Sequence, residues 1–213
     1  RLLNQLARER LGGLHSAQLL LWSFDFAEIE AFQAAGDWAG ATEAMEDAAR
    51  RLERGGADCV VICTNTMHKM AGDVQAAVGI PLIHIGDATA AEIKRAGVSR
   101  PLLLATRYTM EQDFYKGRLR EKHGIDVAVP DAEGRTAIHD IIYNELCRGI
   151  VSAGSKRRYL DVIARAKADG VDGVIFGCTE VGLLLSPNEL DIPAFDTTEL
   201  HARAALDFAL DDA

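Results

Sequence analysis

Two short segments concentrate the side chains able to do chemistry: Gly177-Cys178-Thr179-Glu180 and Cys63-Thr64-Asn65-Thr66-Met67-His68-Lys69. Each closes an apolar run and opens a stretch that starts helix-like. Backbone N–H groups at a helix start favour an anion, so the Cys178 thiol is expected to ionise more readily than its reference pKa of about 8.5 implies. An ionised thiol is a base or nucleophile; an inert cysteine closing a buried strand is the simpler alternative. Asn65 and Thr66 suit a strand-to-helix turn as turn and cap residues, yet the same amide, hydroxyl and N–H groups could hold a carboxylate. His68 and Lys69 fit either a site or the solvated first turn of a helix, and for Lys69 the solvated turn is the simpler reading. Thr106 and Thr109 follow the apolar run Pro101–Ala105 and would add hydroxyls from a further strand-end loop. The other candidates read as packing. Cys59 shares a strand face with Cys63, Cys147 lies late in an amphipathic helix, and His84 and His139 suit core or surface positions.

Strands are expected over Gln18–Phe24, Cys59–Thr64, Pro81–Ile85, Pro101–Ala105, Ile125–Val129, Gly173–Cys178 and Ile192–Phe195. Helical periodicity runs over Trp38–Arg54, Met67–Ala77, Thr89–Ala96, Glu111–Lys122, Thr136–Gly149 and Ser155–Asp169, with a last helix at Thr198–Leu210. Asp37 and Thr66 are expected as N-caps, and Gly55, Gly97 and Gly170 as helix stops. Strands alternating with helices of this length predict a parallel α/β sheet.

An internal repeat organises these elements. Gly56-Ala57-Asp58-Cys59-Val60-Val61-Ile62-Cys63-Thr64-Asn65 aligns without a gap on Gly170-Val171-Asp172-Gly173-Val174-Ile175-Phe176-Gly177-Cys178-Thr179, from 56 to 170, an offset of 114 residues. A second echo follows in the same order: Ile80-Pro81 leading to Asp87-Ala88-Thr89, and Ile192-Pro193 leading to Asp196-Thr197-Thr198. Duplicated α/β halves commonly place a site in the crevice at the carboxyl ends of their strands, where Thr64 and Cys178 both sit. The halves are expected to be residues 1–98, with 199–213 returning to the first half, and residues 99–198.

Composition narrows the function classes. The 213 residues are 48% hydrophobic and 26% charged, enough for one sizeable core or two small ones. A net charge of −9 argues against a nucleic-acid binder, and an anionic substrate would need a locally basic or N–H-rich pocket. Four scattered cysteines lack both a disulfide framework and the paired knuckles of structural zinc. No apolar run approaches the roughly 18 residues of a membrane helix, and no signal peptide is visible. A cytoplasmic, reduced protein without a membrane partner is expected.

Cys63-Thr64-Asn65-Thr66-Met67-His68-Lys69 and Gly177-Cys178-Thr179-Glu180, each closing an apolar strand, resemble the two signature motifs of the aspartate/glutamate racemase family. Gly12-Gly13-Leu14-His15-Ser16-Ala17, Ile80-Pro81-Leu82-Ile83-His84-Ile85 and Asp196-Thr197-Thr198-Glu199-Leu200-His201 resemble its aspartate racemase branch. The resemblance implies two pseudo-symmetric α/β domains with the active site in the cleft between them. It further implies α-proton exchange on an amino acid by two facing acid/base residues, usually cysteines, with no pyridoxal phosphate or metal. Asn65, Thr66, Thr106, Thr109, Thr179 and Glu180 would then bind substrate, and a homodimer is the default for such enzymes.

Two departures modify that picture. Family members usually begin with a strand and a hydroxyl-bearing loop that contribute to the site, and this chain starts after them. The usual first motif also reads Cys-Asn-Thr, where Thr64-Asn65-Thr66 stands here. The repeat independently pairs Thr64 with Cys178 and matches Cys63 to Gly177, with the Cys63 side chain expected in the sheet packing. An asymmetric Thr64/Cys178 pair is therefore favoured over Cys63/Cys178, with Cys178 abstracting from the L-face and Thr64 as the opposing donor. A single-thiol decarboxylase or isomerase of the same superfamily, or a binding module without activity, are the alternatives. Residues 23–30 offer no arginine for a distal carboxylate; Lys156 is the candidate substitute, with a solvated lysine at the start of a helix as the simpler reading.

Overall fold

The computed structural model describes residues 1–211. In chain order the elements are α1 (Leu2–Leu11), α2 (Phe26–Ala35), α3 (Trp38–Arg54), β1 (Val60–Val61), α4 (Ala71–Ala77), β2 (Leu82–Ile83), α5 (Ile85–Arg95) and β3 (Pro101–Leu104). There follow α6 (Arg107–Glu111), α7 (Asp113–His123), α8 (Ala132–Asn144), α9 (Ala153–Ala168), β4 (Gly173–Phe176), α10 (Val181–Leu184), β5 (Ala194–Asp196) and α11 (Thr197–Asp211). The fold class is α/β, with all strand pairs parallel and divided between two small sheets. No helix among the described residues is long and apolar enough to cross a membrane.

Contacts divide the chain into two compact units. One comprises Arg1–Ile62, Lys69–His84 and the chain from Ala202; the other comprises Cys63–His68 and Ile85–His201. The expected halves assign α5 to residues 1–98, whereas its contacts group it with the second unit.

In the first unit β1 pairs with β2, Val60 opposite Leu82 and Val61 opposite Ile83. The α3 helix has the bounds its periodicity predicts, because Asp37 Oδ1 caps it by accepting from Gly40 N at 2.9 Å and Ala41, Met45, Ala48 and Ala49 form a buried stripe. Gln18–Phe24, expected as a strand, enters no ladder; Leu19, Leu20 and Leu21 stay exposed and no strand among the described residues pairs with them. Strand-forming residues cannot make a strand without a neighbour to accept their hydrogen bonds. The α2 helix escaped the periodicity reading because the apolar residues of Phe26–Ala35 are spread around its cylinder.

In the second unit the order is β3-β4-β5, with Leu102 opposite Val174 and Val174 opposite Ala194. Every residue of β3 and β4 is buried, the pattern of parallel strands covered on both faces. Tyr115, Leu119, Ile138, Tyr159, Val162 and Ile163 belong to the same buried cluster as these strands. The expected strand Ile125–Val129 reduces to a single bridge, Leu102 to Ala128, held by Leu103 N to Ala128 O at 2.8 Å and Ala128 N to Pro101 O at 2.9 Å.

The repeat is visible bond by bond. Gly56 and Gly170 both lie in the left-handed region, at φ 93° and 85°. Ala57 N donates to Leu52 O, and Val171 N to Ala166 O, both at 3.1 Å. Val60 N donates to Pro81 O at 2.9 Å and Val174 N to Pro193 O at 2.8 Å. Two details differ from expectation. Gly55, expected to stop α3, is right-handed at φ −76° and the left-handed turn falls on Gly56. The strand registers match His84, not Asp87, with Asp196, so Asp87 lies inside α5 while Asp196 ends β5.

Candidate active site

The loop Cys63–His68 leaves β1 and is held in the second unit by three polar anchors. First, Thr66 Oγ1 lies 3.0 Å from Thr106 Oγ1 and 3.2 Å from Thr109 Oγ1, and those two are 3.3 Å apart. All three hydroxyls are buried, so the triangle ties the loop to the carboxyl end of β3. Thr66 is thus not the N-cap its position predicts. It opens a 3-10 turn, Thr66–Met70, and its hydroxyl goes to residues some 40 positions on. Thr106 caps α6 by accepting from Thr109 N.

The second anchor is Asn65, whose Nδ2 donates to Thr197 Oγ1 at 3.0 Å; Thr197 Oγ1 in turn donates to Phe176 O at 2.8 Å. Phe176 ends β4, two residues before Cys178, so this bridge holds the Thr64 loop to the strand that carries the thiol. Thr197 was missed as a site residue, although it stands inside the Asp196-Thr197-Thr198 echo. Third, His68 Nδ1 meets Thr64 O at 2.7 Å and His68 Nε2 accepts from Ile85 N at 3.1 Å. A carbonyl can only accept, so the proton sits on Nδ1 and both nitrogens are committed to bracing the loop. The Oδ1 of Asn65 is buried without a hydrogen-bond partner.

Cys178 projects from the turn after β4. Gly177 must precede it: an added Cβ there would come within 2.5 Å of Leu103 Cδ1 and 3.0 Å of Ala105 Cβ, where β4 runs against β3. The Cys178 thiol donates to Glu180 Oε2 at 2.9 Å, and Thr179 Oγ1 donates to the same oxygen at 2.6 Å. Burial, and then the Glu180 carboxylate, push the thiol pKa well above its ordinary value. The expected easy ionisation is therefore reversed. The helix that follows, α10, is only four residues long, and the side chain hydrogen-bonded to the sulfur is an acceptor.

Cys63 is exposed, contrary to the expectation that it lies in the sheet packing. In the repeat it stands where Gly177 is crowded by β3, but β1 has a single neighbour, β2, among the described residues. Thr64 is half-buried. The other thiols are also held protonated: burial raises Cys59, and burial with Glu180 raises Cys147 to about 11. Burial, with the Arg107 charge, lowers the His139 pKa; its Nδ1 accepts from Arg107 N at 3.3 Å. Lys156 pairs with Glu189 at 2.5 Å and is already engaged. No cluster of three His, Cys, Asp or Glu side chains suited to a metal occurs among the described residues.

Comparison with known proteins shows the family and the fold. The model for Asp/Glu/hydantoin racemases matches residues 1–205. A Yersinia pestis protein of known structure, provisionally assigned as an Asp/Glu racemase, is similar at 54% identity, covering 98% of this chain and 91% of its own, with a TM-score of 0.91. An aspartate racemase homologue from Pyrococcus horikoshii is similar at 34% identity, covering 97% and 89%, with a TM-score of 0.83. A broad specificity amino-acid racemase of Bacillus subtilis is 21% identical over 77% of this chain and 70% of its own length.

Proposed function

Because this chain belongs to the Asp/Glu/hydantoin racemase family, whose racemases are isomerases, we propose that it exchanges the α-proton of aspartate or glutamate through Cys178 and Thr64. The observation that carries this reading is the Cys178–Glu180 pair. A thiol held protonated at rest donates to a carboxylate 2.9 Å away, the acceptor to which its proton can move, at an energetic cost, when the thiolate forms. With the proton on Glu180, the thiolate removes the α-proton from the L-enantiomer and becomes a thiol again. The planar, carbanion-like intermediate then receives a proton on its other face from Thr64.

A threonine hydroxyl is a poor resting base, so Thr64 relays a proton and is restored by solvent, to which its half-buried position leaves it open. Glu180 releases its own proton to solvent, which closes the balance. Asn65 Oδ1, buried without a partner, is suited to accept from the α-ammonium of the substrate. Thr66, Thr106 and Thr109 serve by fixing the loop, and Thr179 by fixing Glu180.

The test is loss of the α-proton NMR signal in D2O, starting separately from the L- and D-enantiomers of aspartate and glutamate. The L-enantiomers should wash out first, with the opposite enantiomer appearing later. No deuterium uptake from any of the four overturns the reading.

A further inference from the structure

His139 is buried on α8 and spends its Nδ1 on a neighbouring element, accepting from Arg107 N at 3.3 Å. Arg107 opens α6, and the first amides of a helix have no partner within it. Thr106 Oγ1 serves Thr109 N at 3.4 Å, and His139 serves Arg107 N. The ring is packed by Tyr108 of α6, edge-on with centroids 5.9 Å apart, and by Tyr143 of α8 at 4.7 Å. An accepting Nδ1 puts the ring proton on Nε2. Burial, and then the Arg107 charge, keep the ring neutral against the opposing pull of Asp140 and Glu111, so the acceptor persists through neutral pH. Arg107 directly follows Thr106, whose Oγ1 lies 3.0 Å from Thr66 Oγ1. That contact anchors the loop carrying Thr64, two residues before Thr66.

We propose that His139 is a positioning residue for the Thr64 loop: by holding the first amide of α6 it sets where the Thr106 hydroxyl meets Thr66. The route is continuous, from His139 Nδ1 to Arg107 N, through one peptide bond to Thr106, and from its hydroxyl to Thr66. Cys178 takes its support from Gly177 against β3 and from Glu180. Loss of His139 should therefore weigh more on the donor than on the base. The proposal rests on the reading of Thr64 as the opposing donor.

The first test uses the unaltered protein without substrate. The nitrogen NMR shifts of His139 should mark the Nε2–H tautomer at neutral pH; an Nδ1–H tautomer overturns the proposal, because that nitrogen could not accept. Two variants follow. His139→Leu removes the acceptor, whereas His139→Asn places an amide oxygen where Nδ1 stood. Hydrogen exchange at the Arg107 amide should quicken about five-fold in His139→Leu, as expected on losing one hydrogen bond, and return towards the parent in His139→Asn. Racemisation of L-aspartate should fall about five-fold relative to α-proton washout in His139→Leu, with the ratio restored in His139→Asn. Unchanged Arg107 exchange in His139→Leu overturns the proposal, as does an equal fall of washout and racemisation, which a general loosening of the fold would give. The tautomer and the Arg107 exchange need no substrate. If both behave as expected in a protein that exchanges no α-proton, the racemase reading fails and the hold of His139 on α6 stands.

Discussion

The turn after β1 and the turn after β4 occupy matching places in the repeat but present different chemistry. After β4 the backbone is pressed against β3, glycine is required at 177, and the next side chain is a thiol turned onto Glu180. After β1 the matching position tolerates Cys63, exposed, and the next residue is Thr64, whose carbonyl meets His68. Duplication supplies two equivalent backbone positions; in the proposed mechanism their neighbours decide which acts as the base and which as the solvent-linked donor. The difference predicts unequal sensitivity to substitution at the two turns.

The largest effect should come from Cys178→Ser, which removes the only thiol paired with Glu180 among the described residues. Exchange from either enantiomer should fall by roughly a thousand-fold or more, read by α-proton washout. Next is Thr64→Ala. Racemisation should drop about a hundred-fold while slower washout from the L-enantiomer persists, because Cys178 can still remove and return a proton on its own face. Thr64→Cys should recover rate from the D-enantiomer more than from the L. Equal losses of washout and racemisation in Thr64→Ala would erase the asymmetry.

Glu180→Gln separates base from charge. The carboxylate raises the Cys178 pKa, so its removal should lower that pKa and move the rise of rate with pH to lower pH. The maximal rate should fall about ten-fold, since the amide cannot take the thiol proton. A profile that stays in place would mean that Glu180 acts only as a turn residue. Smallest of all, Cys63→Ser should keep the rate within about two-fold of the parent. A large loss would restore the two-cysteine mechanism.

Alkaline unfolding offers an independent reading of the same thiol. The folded-state pKa of Cys178 lies above its unfolded value of about 8.5, so its contribution to stability is fully present below that pH and lost as pH rises through the folded value. The thermal midpoint should therefore decline above about pH 9, and Cys178→Ala should flatten the decline.

Much of the scaffold could be read from residue order. The capped, periodic α3 and α9 and the wholly apolar β3 and β4 come out within a few residues of their expected bounds, since local pattern and burial agree there. The errors fall where distant residues decide. Thr66 looks like a cap until Thr106 and Thr109 claim its hydroxyl. Cys178 looks easily ionised until burial is added and Glu180 turns towards it, although Glu180 is only two positions away. Thr197 is marked only by its place in the second echo, because bridging is a property of neighbours rather than of local sequence.

The Asn65–Thr197–Phe176 bridge has a polarity of its own. Thr197 owns one hydroxyl proton and gives it to a carbonyl, so its oxygen can only receive at the other end. Residue 65 must therefore bring a proton, which an amide can do and its isosteric carboxylate cannot. An aspartate there would set two buried acceptors face to face. The same count fixes the rotation of the amide, with nitrogen on Thr197 and oxygen on the opposite side. A single proton on α11 thus sets the orientation of a side chain 132 residues earlier in the chain.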